Sequence, residues 1–172
     1  ADDLQLTNEV IFVDDGSTDG SLQQLLDLQF DNGNVRIIRF DKRYGQTAAL
    51  SAAFSVAQGE RFVTLDADGQ NNPADIPRLL DEYSKGFDVV VGWRAKRSEP
   101  YFSRILPSTI ANGLIRILTG VNIHDNGCSL KVIRREIAKR IILYGDYHRL
   151  IPILVARGGG TVSEIIVDDR KR

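Results

Sequence analysis

The sequence predicts an α/β fold with a mostly parallel central sheet and helices on both faces. Two observations carry this. From Glu9 to Gly92, short β-branched and aromatic runs alternate with stretches of helical length and periodicity. Each run also stops at a cluster of Gly, Asp, Asn or Pro, the residues that turn a chain. At 172 residues, 42% of them hydrophobic, the chain suffices for a single domain spanning 1–172 with its own core.

The first strand is expected over Glu9–Val13 ("EVIFV"), halted by the turn "DDGSTDG". Leu22, Leu25, Leu26 and Leu28 then follow helical spacing. "VRIIRF" (Val35–Phe40) is the second strand, and "GQTAALSAAFSVAQG" (Gly45–Gly59) is a small-residue helix closed by Gly59 as C-cap. "RFVTL" (Arg61–Leu65) is the third strand. "PADIPRLLDEYSKG" is a helix from Pro73, and "DVVVG" (Asp88–Gly92) is the fourth strand. Beyond Gly92 the rhythm changes to a basic aromatic segment, "WRAKRSEPYFSR", and a helix from Pro107 to Gly120. "SLKVI" is a strand candidate, "RREIAKRIILYG" and "YHRLIPILVARGG" are helix candidates, and "TVSEIIV" is the last strand.

Composition excludes several classes of function. A net charge of −1 argues against general nucleic-acid binding. The single cysteine, Cys128, rules out an internal disulfide framework and a cysteine-based zinc cluster. No apolar run approaches the ~18–20 residues that span a bilayer, and no signal peptide is visible. A soluble or peripheral intracellular domain is expected.

In open α/β sheets ligands sit beyond the carboxyl ends of the strands. Two acidic turns are expected at that edge: Asp14–Asp15 after the first strand, and Asp66 and Asp68 after the third. Turn and capping chemistry accounts for "DDGSTDG" as well as ligand binding does. Asp66 and Asp68 are harder to explain that way, because two close carboxylates repel unless a cation or donors compensate. Mg²⁺ and Mn²⁺ take oxygen ligands and are held by one or two carboxylates plus substrate phosphates. "DADGQ" therefore suits a metal–diphosphate clamp, with Gln70 as a neutral oxygen ligand. Arg94, Arg97 and Arg104 follow the fourth strand, where forked donors could meet phosphate; a solvated basic loop is the plainer alternative. His124 and Asp125 share a turn, His148 reads as packed, and Cys128 as a small core residue.

Taken together, "EVIFVDDGSTDGS", "YGQTAALSAAFSVAQG", "LDADGQNNPADIPRLL", "VVVGWRAKR", "LPSTIANGLIRILTG", "IHDNGCSLKVIRRE" and "LYGDYHRLIPIL" resemble the family 2 glycosyltransferases, specifically the polyprenyl-phosphate sugar synthases of the dolichyl-phosphate mannose synthase type. The resemblance implies a GT-A fold and inverting transfer of a sugar from a nucleotide-sugar to a dolichyl or undecaprenyl phosphate. The implied location is cytoplasmic, peripheral to the cytoplasmic face of a membrane. It further implies that Asp14, Asp15, Asp66, Ala67, Asp68 and Arg94 bind the nucleotide-sugar. Asp66, Asp68 and Gln70 would hold Mg²⁺ or Mn²⁺, and Asp68 and Asp125 would be catalytic, Asp125 as a candidate base near the acceptor. Arg97, Arg104 and Arg172 would bind the acceptor phosphate. Nothing before Glu9 matches the family's first strand, and the chain stops where relatives continue, so a fragment of a longer protein is expected, with homo-oligomerisation open. The competing expectations are a catalytically silent GT-A domain kept for binding, and a haloacid-dehalogenase-like phosphatase using Asp66 as nucleophile. Within "PYFSRILPSTIANGLIRIL" the basic-aromatic part before Pro107 is the expected membrane-surface contact, while for the part after Pro107 packing on the sheet is an equal alternative.

Overall fold

The computed structural model describes residues 8–95 and 120–170. The helix expected from Pro107, the membrane-contact stretch, and Arg97, Arg104 and Arg172 lie outside the described residues. The chain divides into two compact units, Ala1–Glu60 with Lys139–His148, and Arg61–Ala138 with Arg149–Arg172.

In the first unit, β1 (Val10–Asp14) and β2 (Val35–Arg39) pair in parallel, Val10 opposite Val35 and Asp14 opposite Arg39. The helix α1 (Ser21–Asp31) joins them, and α2 (Gln46–Val56) packs on β1 through buried Phe54. The second helix ends before Gly59: Ala57 is already extended, at φ −60° and ψ 140°. The cause is Glu9, whose carboxylate accepts from the backbone N–H of Gln58 and Gly59 and so draws these residues out of the helical path. Thr47 and Lys139 tie the later part of this unit to α2. Thr47 Oγ1 donates to the Gly145 carbonyl at 2.5 Å, and Lys139 Nζ donates to the Ser55 carbonyl at 2.8 Å.

The second unit holds a four-stranded sheet in the order β3 (Arg61–Thr64), β5 (Lys131–Arg134), β4 (Val89–Trp93), β6 (Val162–Ile166). Its pairing is mixed: β4 and β6 are parallel, whereas β5 runs antiparallel to both β3 and β4. Val89, Val90 and Val91 are all fully buried, so successive side chains on opposite faces of β4 are both covered. The helices α3 (Ile76–Tyr83) and α5 (Ile151–Arg157) supply the cover, the first through Leu79 and the second through Ile151, Ile153 and Val155. A one-turn 3₁₀ segment, Pro73–Asp75, precedes α3, with Asn72 accepting from the Ala74 N–H as its cap. The helix expected from "RREIAKRIILYG" shrinks to α4 (Arg135–Arg140). Among the described residues no helix is long and apolar enough to cross a membrane.

Candidate functional site

Strand directions bring the predicted residues of the second unit to one edge. Because β3 and β4 both oppose β5, they run the same way, and β6 runs with β4. The segments leaving β3, β4 and β6 therefore emerge together: the Asp66–Asn72 turn, Arg94, and Val167–Arg170. Antiparallel β5 starts at that same edge, so the loop feeding it, with His124, Asp125, Cys128 and Ser129, arrives there too.

The Asp66–Gln70 turn is built from below. Gly69 has φ +79°, a left-handed conformation that L side chains adopt at a cost. Asp68 Oδ1 accepts from the Gln70 N–H at 3.1 Å. Ser129 is the hub beneath it. Its hydroxyl accepts from the Asp66 N–H at 3.3 Å and from Asn71 Nδ2 at 2.9 Å, while its carbonyl accepts from Thr64 Oγ1 at 2.7 Å. From the other side the last described segment closes on the turn. Arg170 N–H donates to the Gln70 carbonyl at 2.9 Å, its guanidinium donates to Asn72 Oδ1 at 2.8 Å, and Asp75 accepts from the Asp168 N–H at 2.9 Å.

Arg94 and Asp125, far apart in sequence, form one device. Arg94 Nε and Nη2 donate to the two carboxylate oxygens of Asp125 at 2.8 and 3.2 Å, and the Arg94 backbone N–H adds a third bond at 3.3 Å. Asp125 is 1% exposed. Burial opposes the charge on Arg94, but the bonded carboxylate outweighs it and holds the guanidinium above its ordinary pKa. The candidate base is thus turned inward, with both oxygens engaged by an arginine. That geometry orients Arg94 and leaves no open carboxylate for proton abstraction.

Lys131, on β5 opposite Thr64 and Val91, connects the two groups. It is 3% exposed, and its ammonium donates to the Cys128 carbonyl. Burial pushes it down to about 8, against the pull of Cys128, Asp125 and Asp66. Burial likewise raises the Cys128 thiol, consistent with a core cysteine. Among the described residues no cluster of three His, Cys, Asp or Glu could hold a metal alone. Two carboxylates in one turn fit a divalent cation that draws its remaining oxygens from a bound diphosphate.

In the first unit, the Asp14–Asp15 turn separates two roles that the sequence merged. Asp15 is spent on backbone, accepting from the N–H groups of Tyr44 and Gly45 at 2.7 and 2.9 Å. Asp14 is 4% exposed; Oδ1 accepts from the Ser17 N–H at 3.1 Å, while Oδ2 is buried with no hydrogen-bond partner among the described residues. A buried carboxylate oxygen without a donor is costly unless a ligand supplies one. Gly16 makes the turn possible: its φ is +71°, and a Cβ there would lie 2.7 Å from the Lys42 carbonyl carbon.

Ser129, Asn71, Lys131 and Glu164 join the candidate site through hydrogen bonds that no sequence motif marks. They sit in strands or ordinary turns, and only their partners mark them.

Residues 4–142 match the family described as Glycosyl transferase family 2. The chain is 44% identical over 150 residues to dodecaprenyl-phosphate galacturonate synthase of Rhizobium johnstonii, covering 86% of this chain and 44% of that protein. It is 39% identical over 165 residues to undecaprenyl-phosphate 4-deoxy-4-formamido-L-arabinose transferase of Pseudomonas fluorescens, covering 95% of this chain and 48% of that protein. It therefore spans about half the length of these curated relatives. A solved structure of glucosyl-3-phosphoglycerate synthase from Mycobacterium tuberculosis, in complex with Mn²⁺ and uridine-diphosphate-glucose, matches with a TM-score of 0.68 at 19% identity, over 97% of this chain and 62% of that one. That likeness shows the α/β GT-A fold.

Proposed function

Because the chain belongs to glycosyl transferase family 2, we propose that it carries the donor-site chemistry of an inverting transfer of a sugar from a nucleotide-sugar to a polyprenyl phosphate. The observation that carries this is the meeting of the Asp66–Asp68 turn and the Arg94–Asp125 pair at one sheet edge. The names of the relatives, both polyprenyl-phosphate sugar enzymes, support the acceptor class. Family membership leaves the phosphatase alternative without support.

The residues divide the work as follows. Asp14 Oδ2 awaits a hydrogen-bond donor and suits a base N–H or ribose hydroxyl of the nucleotide. Asp66 and Asp68, with Gln70 beside them, would hold Mg²⁺ or Mn²⁺ against the diphosphate. A bound divalent cation supplies charge neutralisation for the departing diphosphate. Arg94 is locked through Nε and Nη2, which leaves its Nη1 edge to meet a phosphate oxygen. A lipid phosphate is ionised near neutral pH and attacks the anomeric carbon without a strong base, so an inward-facing Asp125 is compatible with the chemistry. With a polyprenyl phosphate as acceptor the proposed reaction belongs at a membrane surface, and we assign it to the cytoplasmic face as part of this proposal.

The test is Asp68→Asn, followed by calorimetric titration of nucleoside diphosphates. Affinity should fall about tenfold or more in Mn²⁺ and change little in EDTA. Equal affinity of variant and parent in Mn²⁺ sinks the proposal, and an absence of metal-dependent binding in the parent supports the silent domain instead.

A further inference from the structure

We propose that His124 is a ligand-facing imidazole, set by Glu164 and Trp93 to meet a phosphate oxygen of a bound substrate. The inference rests on the sugar-transfer reading for the identity of that phosphate and on the geometry around His124 for everything else.

Glu164 on β6 grips residue 124 twice. One carboxylate oxygen accepts from the His124 backbone N–H at 2.9 Å, and the other pairs with Nδ1. A carboxylate brings no proton to that contact, so Nδ1 carries the hydrogen. This assignment directs the chemistry of the ring to Nε2, as when a buried carboxylate orients a working histidine. Trp93 fixes the plane: its ring stacks on the imidazole with centroids 4.2 Å apart and an interplanar angle of 13°. The holding group is largely buried and the held one is not, with side-chain exposures of 13% for Glu164 and 37% for His124. Nε2 has no hydrogen-bond partner among the described residues.

Position supplies the ligand class. Trp93 and Arg94 are consecutive, as are His124 and Asp125, and each residue of the first pair engages one of the second. The oriented imidazole therefore stands next to the arginine pair, at the edge from which the Asp66–Asp68 turn also emerges. Arg94 is already neutralised by Asp125, so a phosphate arriving there needs further partners. Nε2 serves such a group in either protonation state. Neutral, it accepts from a P–OH; protonated, it donates to a P–O⁻. A tether that only anchored the loop to β6 would need Nδ1 and the backbone N–H alone.

That contrast defines the experiment on this chain of 172 residues. His124→Asn keeps an amide N–H where Nδ1 stood and removes Nε2; His124→Gln places its amide where Nε2 stood. A short-chain isoprenyl phosphate and a nucleoside diphosphate with Mg²⁺ are titrated separately, with binding followed by calorimetry and by ¹⁵N resonances of the histidine side chains. The chain holds only two histidines, so the His124 signals are assigned by the variants. The expected result is movement of the His124 Nε2 resonance on adding one of the two phosphates, which identifies the source as acceptor or donor. Affinity for that compound should fall roughly tenfold in His124→Asn and less in His124→Gln. A stationary Nε2 resonance with both compounds, or parental affinity in His124→Asn, overturns the inference. Either result leaves the Asp68→Asn outcome untouched, so the two failures are distinguishable. If the parent binds neither phosphate, both fall.

Discussion

Removing the carboxylate of Asp125 should destabilise the protein far more than removing the whole Arg94–Asp125 pair. The two charge-assisted bonds, at 2.8 and 3.2 Å, join a side chain that is 20% exposed to one that is 2% exposed. Hydrogen bonds to charged groups contribute about 1.5–3 kcal/mol each, and stranding one member of a buried pair costs about 3–5 kcal/mol. Asp125→Asn preserves shape but turns an amide toward the guanidinium, so a loss near 3–5 kcal/mol is expected. That is a large share of the roughly 5–15 kcal/mol that holds a domain together. The double variant Arg94→Met with Asp125→Leu removes both charges of the pair and should recover most of the loss. Urea unfolding provides the measurement, followed by the fluorescence of Trp93, the single tryptophan, which stacks beside the pair. A loss below about 1 kcal/mol for Asp125→Asn, or a double variant as unstable as the single, would refute the reasoning from burial.

Two further outcomes are expected. Lys131 has an ordinary pKa of 10.5 and is pushed to about 8 in the folded protein. Between those values the unfolded chain binds more protons than the folded one, so stability should rise with pH across that window by up to roughly 3 kcal/mol. Lys131→Met should lack this rise, and identical pH profiles for parent and variant would contradict it. Gly16→Ala should cost more than Gly20→Ala. Both residues have positive φ, +71° and +83°, but a Cβ meets the Lys42 backbone at 2.7 Å only at Gly16, while at Gly20 nothing lies within 4 Å. The dihedral penalty common to both is about 1–2 kcal/mol, and equal unfolding free energies would show that the Gly16 contact yields.

By itself the sequence determined where most strands and helices lie and which acidic turns follow them. Strand and helix positions follow from short-range periodicity, and the first four strands lie within about a residue of their expected bounds. Asp66, Asp68 and Arg94 stand out as candidates because motifs at strand ends are contiguous in the chain. Tertiary structure alone decided what lies beneath and beside them. Helix α2 stops at Val56 because a carboxylate at Glu9 captures its continuation, a contact across almost fifty residues that no window reveals. Asp125 reads in sequence as a turn residue that the resemblance makes a candidate base, and in space it is the buried partner of Arg94. The decisive feature is the direction of β5. In an all-parallel sheet the loop entering a strand lies at the edge opposite the loops that leave its neighbours. Running β5 antiparallel brings His124, Asp125 and Ser129 to the Asp66–Asp68 edge. Direction is set by which neighbour a strand finds and which faces can be buried together, and the four-residue β5 carries no periodicity that distinguishes one direction from the other.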